Sequence, residues 1–146
     1  MKKLIALFIL SPLCFIINSH AQNPVSSLTV SAEYLSPDSS LFQLLPEERR
    51  EMEERKINAY VNLSASEGVE KIALSLGSSE GSNDIFYKEF IYGDEGDFSD
   101  GTSCHSSGNG FSFCIGNYAG FSQYYVAVFT IMSDGSMSES IRYTLY

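Results

Sequence analysis

Apolar residues recur at every second position through much of the chain, which is the spacing of half-buried strands. Over residues 27–34 the apolar set is Leu28, Val30, Ala32 and Tyr34. Over 56–65 it is Ile57, Ala59, Val61, Leu63 and Ala65, while Lys56, Asn58, Tyr60, Asn62 and Ser64 point the other way. Ile72, Leu74 and Leu76 mark a third strand, ended by Gly77. Residues 84–92 are less regular, with Phe86, Phe90 and Tyr92 on one face, and Phe111, Phe113 and Ile115 mark a later strand. Strands over 124–132 and 139–145 close the chain, joined by Ser133-Asp134-Gly135-Ser136. Asp-Gly between two apolar-patterned runs is a strong local hairpin signal. About seven short strands separated by Gly, Ser and Asp turns predict an all-β fold, a single antiparallel sandwich.

Two segments break this pattern. Lys2 and Lys3 precede an apolar run over 4–17, and Ser19-His20-Ala21 follows with small residues where a signal peptidase reads. Residues 1–21 therefore read as a secretory signal peptide, cleaved near Ala21 and leaving a domain over 22–146. The apolar run is shorter than the roughly 20 residues a membrane-spanning helix needs, so no transmembrane span is expected in the mature chain. Residues 46–56 are densely charged, with Arg49–Glu53, Arg50–Glu54 and Glu51–Arg55 at helical spacing. Such pairs stabilise a helix by only about 0.2–0.5 kcal/mol each, and Leu45 is a poor N-cap. A solvated connector or strand extension is the favoured reading, with a short helix as its rival.

The strand over 124–132 is apolar on both faces. Tyr124, Val126 and Val128 form one set, and Tyr125, Ala127, Phe129 and Ile131 the other. A two-layer sandwich gives each strand one core face. The second face needs cover from the 46–56 segment, or it is a partner surface at Tyr125, Phe129 and Ile131. The neighbouring cluster Tyr118, Phe121, Tyr124 and Tyr125 is expected to pack in the core, with a sugar or peptide platform as the alternative.

The end of the chain resembles immunoglobulin-like and fibronectin type III domains. Tyr124, Val126 and Val128, the turn at residues 133–136, Ser138, and Ile141, Tyr143 and Leu145 are similar to their last two strands and hairpin. The strands near Leu28 and Ile57 fit the same plan, extending the resemblance to about residues 25–146. The resemblance implies an Ig-like sandwich of the kind used in adhesion, spacer and accessory binding modules.

Composition narrows the chemistry. The 146 residues carry 18 Asp and Glu against 9 Lys and Arg, a net charge of −9. Loss of Lys2 and Lys3 with the leader would make it −11. Such a chain lacks the basic patch that displaces counterions from phosphates, so no nucleic-acid partner is expected. Of three cysteines and two histidines, Cys104, Cys114 and His105 lie outside the leader. Asn109 is the midpoint of the two cysteines and is flanked by glycines, so a hairpin there sets Cys104 opposite Cys114. In an exported chain the two are expected to form a disulfide on the outer face.

No catalytic residues are assigned. Cys104 and His105 are adjacent, and adjacent strand residues face opposite ways, which weakens both a Cys–His nucleophile and a zinc site with Cys114. Gly77-Ser78-Ser79-Glu80-Gly81 has the letters of a nucleophile elbow, but another strand follows it, so it reads as a hairpin loop. The glycine-rich loop over 93–101 offers Asp94, Asp97 and Asp100 as weak calcium candidates; a solvated loop is preferred, and no cofactor is expected. Asn62-Leu63-Ser64 is a glycosylation sequon inside a strand. The reading is an exported, non-catalytic binding or adhesion module, secreted or periplasmic, with a protein or glycan partner at the cell envelope. A small secreted hydrolase using carboxylates is the alternative, and an eight-stranded membrane barrel ranks last.

Overall fold

The computed structural model describes residues 23–34 and 54–146. The expected leader over 1–21, its expected cleavage point and residues 46–53 of the charged segment lie outside the described residues. The nine strands among the described residues are β1 (Val25–Tyr34), β2 (Arg55–Leu63), β3 (Val69–Gly77), β4 (Phe86–Ile91), β5 (Gly96–Asp97), β6 (Ser103–Ser107), β7 (Gly110–Tyr118), β8 (Tyr124–Met132) and β9 (Ile141–Leu145). All pairings are antiparallel. They form a five-stranded sheet, β1-β2-β7-β6-β5, and a four-stranded sheet, β4-β3-β8-β9. Among the described residues each sheet keeps open edges, unlike a single closed barrel. Arg55 and Lys56, the end of the charged segment, open β2 as a strand extension.

Alternation on the central strands builds the core. Ile57, Ala59 and Val61 on β2 and Phe113 and Ile115 on β7 face Ile72, Leu74 and Leu76 on β3 and Tyr124, Val126 and Val128 on β8. All of these are buried. Full burial of each large apolar side chain favours folding by about 1.5–3 kcal/mol, which locks register: a one-residue slip would turn the whole set to solvent. Phe90 of β4 carries the core to the sheet edge, its ring centroid 4.8 Å from that of Phe113.

β5 and β6 lack the alternation that announces the other strands. Ser-Cys-His-Ser-Ser pairs along β7 through its backbone, and only Cys104 of the five enters the core. The acidic loop before it has a structural role at the open edge. Phe98 packs on Phe90 at 5.8 Å. The Lys88 ammonium lies 4.2 Å from the centre of the Phe98 ring and donates to Asp100 at 2.6 Å and Thr102 Oγ1 at 2.7 Å. An inward-facing lysine at a sheet edge thereby keeps its charge satisfied while its stem covers aromatic rings.

The expected Cys104–Cys114 disulfide is not present. Both cysteines are free thiols, Cys104 buried and Cys114 half-buried. The register pairs Cys104 with Phe113 and Ser103 with Cys114, so the two sulfurs lie on opposite faces of the sheet. The cause is the turn. Ser107 pairs with Gly110, leaving Gly108 and Asn109 as a two-residue loop whose centre falls between them and not on Asn109. Gly108 has φ 60°, as the first central position of a type II′ turn requires. A half-residue shift of the turn centre moves each partner by one position and reverses the face of Cys104 relative to Cys114.

Candidate functional site

The outward positions of the four-stranded sheet differ sharply from those of its partner. On β2 and β7 the outward residues include Lys56, Asn58, Tyr60, Asn62, Ser112 and Cys114. On the four-stranded sheet, one row reads Tyr87, Ser75, Ala127 and Arg142 across β4, β3, β8 and β9. Large residues at the ends and small ones in the middle leave a trough across the strands. The next row holds Glu89, Ala73 and Phe129, and the row on the other side Gly77, Tyr125 and Thr144. The result is a groove of about 580 Å³ floored by Ser75 and Ala127. The loop over 80–83 and the β8–β9 connection at Met137, Ser138 and Ser140 form its rims.

The aromatic walls are held in place. Tyr87 stacks on Phe129 across β3, with ring centroids 6.5 Å apart and planes 30° apart. The Tyr87 hydroxyl donates to Glu89 Oε1 at 2.9 Å, and Lys71 Nζ donates to Glu89 Oε2 at 2.9 Å. The Lys71 and Tyr87 bonds hold the Glu89 carboxyl below its ordinary acidity value, and burial with Glu89 pushes the Tyr87 hydroxyl up. The Tyr125 hydroxyl donates to Gln123 Oε1 at 3.0 Å. Tyr87 remains 45% exposed, so its ring has a face free for contact.

The rims are pinned by hydrogen bonds. Asp84 accepts from Ser78 N at 2.9 Å, Ser78 Oγ at 2.5 Å and Ser82 Oγ at 2.7 Å. The Ser78 hydroxyl, then the Ser82 hydroxyl and the Ser78 amide, hold the Asp84 carboxyl far below the usual carboxylate range. The loop also packs directly over Gly77, where a Cβ would collide with the backbone and hydroxyl of Ser82. In the turn leading to the opposite rim Asp134 accepts from Ser136 N at 2.9 Å and Ser136 Oγ at 2.6 Å, and Ser138 Oγ on that rim accepts from Thr130 N at 2.9 Å. The charges on this face occur in pairs: Lys71 with Glu89, and Arg142 Nη1 at 3.9 Å from Glu80 Oε1.

Of the expected partner surface, Tyr125 and Phe129 line this groove, and Ile131 is half-buried beyond it on the same strand. The cluster of four aromatics divides. Tyr124 is fully buried, Tyr118 is half-buried with its hydroxyl donating to Ile115 O at 3.3 Å, Phe121 is exposed with its ring in edge contact with Tyr124, and Tyr125 turns outward. Sequence reading missed Tyr87 and Arg142. The alternation of Tyr87, Glu89 and Ile91 against Phe86, Lys88 and Phe90 was the available signal for the first.

The other candidates are not assembled. Asp100 is engaged by Lys88 and Thr102, while Asp97 Oδ1 lies 3.3 Å from His105 Nε2. Among the described residues no three His, Cys, Asp or Glu side chains converge as metal ligands, Asp94, Asp97 and Asp100 included. Cys104 faces the core and His105 is exposed. Burial, followed by Glu95 and Asp94, pushes the Cys104 thiol up to about 11, away from a nucleophile's range. The Gly77–Gly81 stretch joins two antiparallel strands, so it is a hairpin loop. Asn62 Nδ2 donates to Ser27 Oγ at 2.9 Å within the sheet. No helix among the described residues is long and apolar enough to cross a membrane. The chain matches no family model, no curated protein and no solved structure.

Proposed function

We propose that this chain is an exported, non-catalytic binding module with an Ig-like sandwich, and that it seats its ligand in the groove on β4-β3-β8-β9. The observation that carries the reading is the groove itself: an exposed aromatic wall on a sheet face that the core does not use. A concave, largely preformed site with convergent polar groups is the usual form of a ligand site. The strand order supports the Ig-like plan. Taking β1, β2, β7 and β6 as A, B, E and D, the facing sheet runs C′, C, F and G.

The carboxylates with perturbed acidity act as ionised anchors of loops and neighbouring side chains. Asp84, Glu89, Glu95, Asp100 and Asp134 are all driven down by hydroxyl, amide or ammonium donors. A general acid needs the opposite shift. Export rests on the leader-like residues 1–21 and places the ligand at the cell envelope or outside.

The test is crosslinking of the tagged chain in cells that produce it, wild type against Phe129→Glu. The expected result is delivery to the envelope or medium and a crosslinked species that Phe129→Glu removes while its circular dichroism stays native. Retention in the cytoplasm, or capture indifferent to Phe129→Glu, would reject the reading.

A further inference from the structure

We infer that the groove takes a short, uncharged oligosaccharide. The inference rests on the binding-module reading and names the ligand class for the same site. Three features carry it.

The first is shape. The groove runs across the strands, from Tyr87 on β4 to Arg142 on β9. Three strand spacings make it about 14 Å long, the scale of a short oligosaccharide. An extended peptide lying in it would cross the strands and meet no free ladder hydrogen bonds, because β3 and β8 are paired on both sides.

The second is the chemistry of the walls. The stacked Tyr87 and Phe129 rings offer an apolar plane, and Tyr87 is 45% exposed. Pyranose rings present a face of C–H groups to such a plane and hydroxyls around the perimeter. Ser75 on the floor, Asn83 and Ser140 on the rims and Arg142 at the end supply matching donors and acceptors. A lipid chain or an apolar helix would leave those groups without partners.

The third is charge. The chain carries −9 overall, yet the groove's Arg142 and Glu80 face each other at 3.9 Å and cancel. An anionic ligand would meet the repulsion of the chain's net charge, and a cationic one would find no unpaired carboxylate on the groove walls. A neutral polyhydroxylated ligand fits both conditions.

The experiment is a 15N-labelled titration of the full mature chain with cellotriose, maltotriose, mannotriose and triacetylchitotriose. Trigalacturonate, chitosan trimer and a proline-rich peptide serve as charged and peptide comparisons. At least one neutral sugar is expected to shift amides of 75, 83, 87, 127 and 142 and leave β2 and β7 unmoved. Tyr87→Ala, at an exposed site, should weaken that binding about tenfold. Ile91→Ala, 59% exposed on the same face beyond the groove, should leave it unchanged, and the spectra report whether each variant is folded. Groove shifts with a charged sugar or the peptide, but with no neutral sugar, would overturn the carbohydrate assignment and leave the binding site standing. Concentration-dependent broadening of the same amides without any ligand would make the occupant a second copy, overturning it as well. Silence at the groove with every probe, together with capture that ignores Phe129→Glu, would overturn both readings.

Discussion

The β6–β7 register makes a prediction about sulfur chemistry that a simple exported-protein argument reverses. Cys104 and Cys114 are ten positions apart across a hairpin, yet Cys104 pairs with Phe113 and Cys114 with Ser103. Directly opposed residues in an antiparallel pair have Cα atoms about 4.5–5.5 Å apart, inside the roughly 4.4–6.8 Å window of a disulfide. The double variant Ser103→Cys, Cys104→Ala therefore sets a thiol opposite Cys114 on one face, and it should oxidise to a bridge. Closing a loop of about a dozen residues stabilises by about 3 kcal/mol in the chain-entropy model. For a domain of this size that raises the melting midpoint by about 10 °C over Cys104→Ala alone.

The wild type should behave oppositely. Purified without reductant, it should carry two free thiols, with only Cys114 modified in the folded state. Cys104 is 3% exposed, and a thiol pushed up to about 11 is only about one part in a thousand ionised at pH 8. Peptide mass spectrometry without reduction, with thiol counts in native and unfolded protein, reads both outcomes. A Cys104–Cys114 crosslink in native wild-type protein would refute the reasoning. It would centre the turn on Asn109 and reverse which face of β6 meets the core.

Two further outcomes follow from the polar clusters. Lys88→Met keeps an apolar stem over Phe98 but removes the donor to Asp100 and Thr102. Amides over 93–102 should then exchange faster while those of β3 and β8 do not change, and unchanged exchange throughout would deny Lys88 its role as the edge clamp. Asp84 has a folded-state acidity value far below the unfolded one of about 3.9, so its contribution is fully present above that value and is lost as pH falls toward the folded value. Its carboxyl carbon should therefore still report the ionised form at pH 3 by NMR; titration near pH 4 would show that it does not pin the rim.

How much of this was legible depends on where side chains carry the information. Strands whose inward residues are Ile, Leu, Val and Phe, such as β2, β3, β7 and β8, declare themselves by period two; of their expected inward sets, Leu63 and Phe111 are half-buried, Ala65 is exposed past the end of β2, and the rest are buried. β6 is invisible by that criterion because its backbone, not its side chains, earns it a place in the sheet. The loop over 93–101 reads as acidic and solvated, since nothing local reveals that Lys88, twelve positions before Asp100, turns inward to meet it. Among the groove residues, the outward set of β8 is visible as a surplus apolar face, but its stacking partner Tyr87 lies on a strand two positions away across β3. A cross-strand row needs the pairing of four strands, which one chain's periodicity does not specify.

The two outer faces of the sandwich show what folding does and does not require. The face built on Asn58, Tyr60, Asn62 and Ser112 is polar, and its sheet is as well cored as the other. Stability therefore does not demand Tyr87, Tyr125 and Phe129 on the second face. Their ordering is instead local and specific: Glu89 holds Tyr87, Gln123 holds Tyr125, Asp84 ties one rim, and the Thr130 N–H donating to Ser138 Oγ ties the other. The floor belongs to β3 and β8, the central strands whose inner residues are fully buried. A site fixed this way loses little conformational freedom when a ligand arrives, so even the modest contacts of a sugar ring can yield measurable affinity. Loosening one rim should then weaken binding without touching the aromatic wall, which separates preorganisation from contact as sources of affinity. Asp84→Asn is the variant that makes this separation.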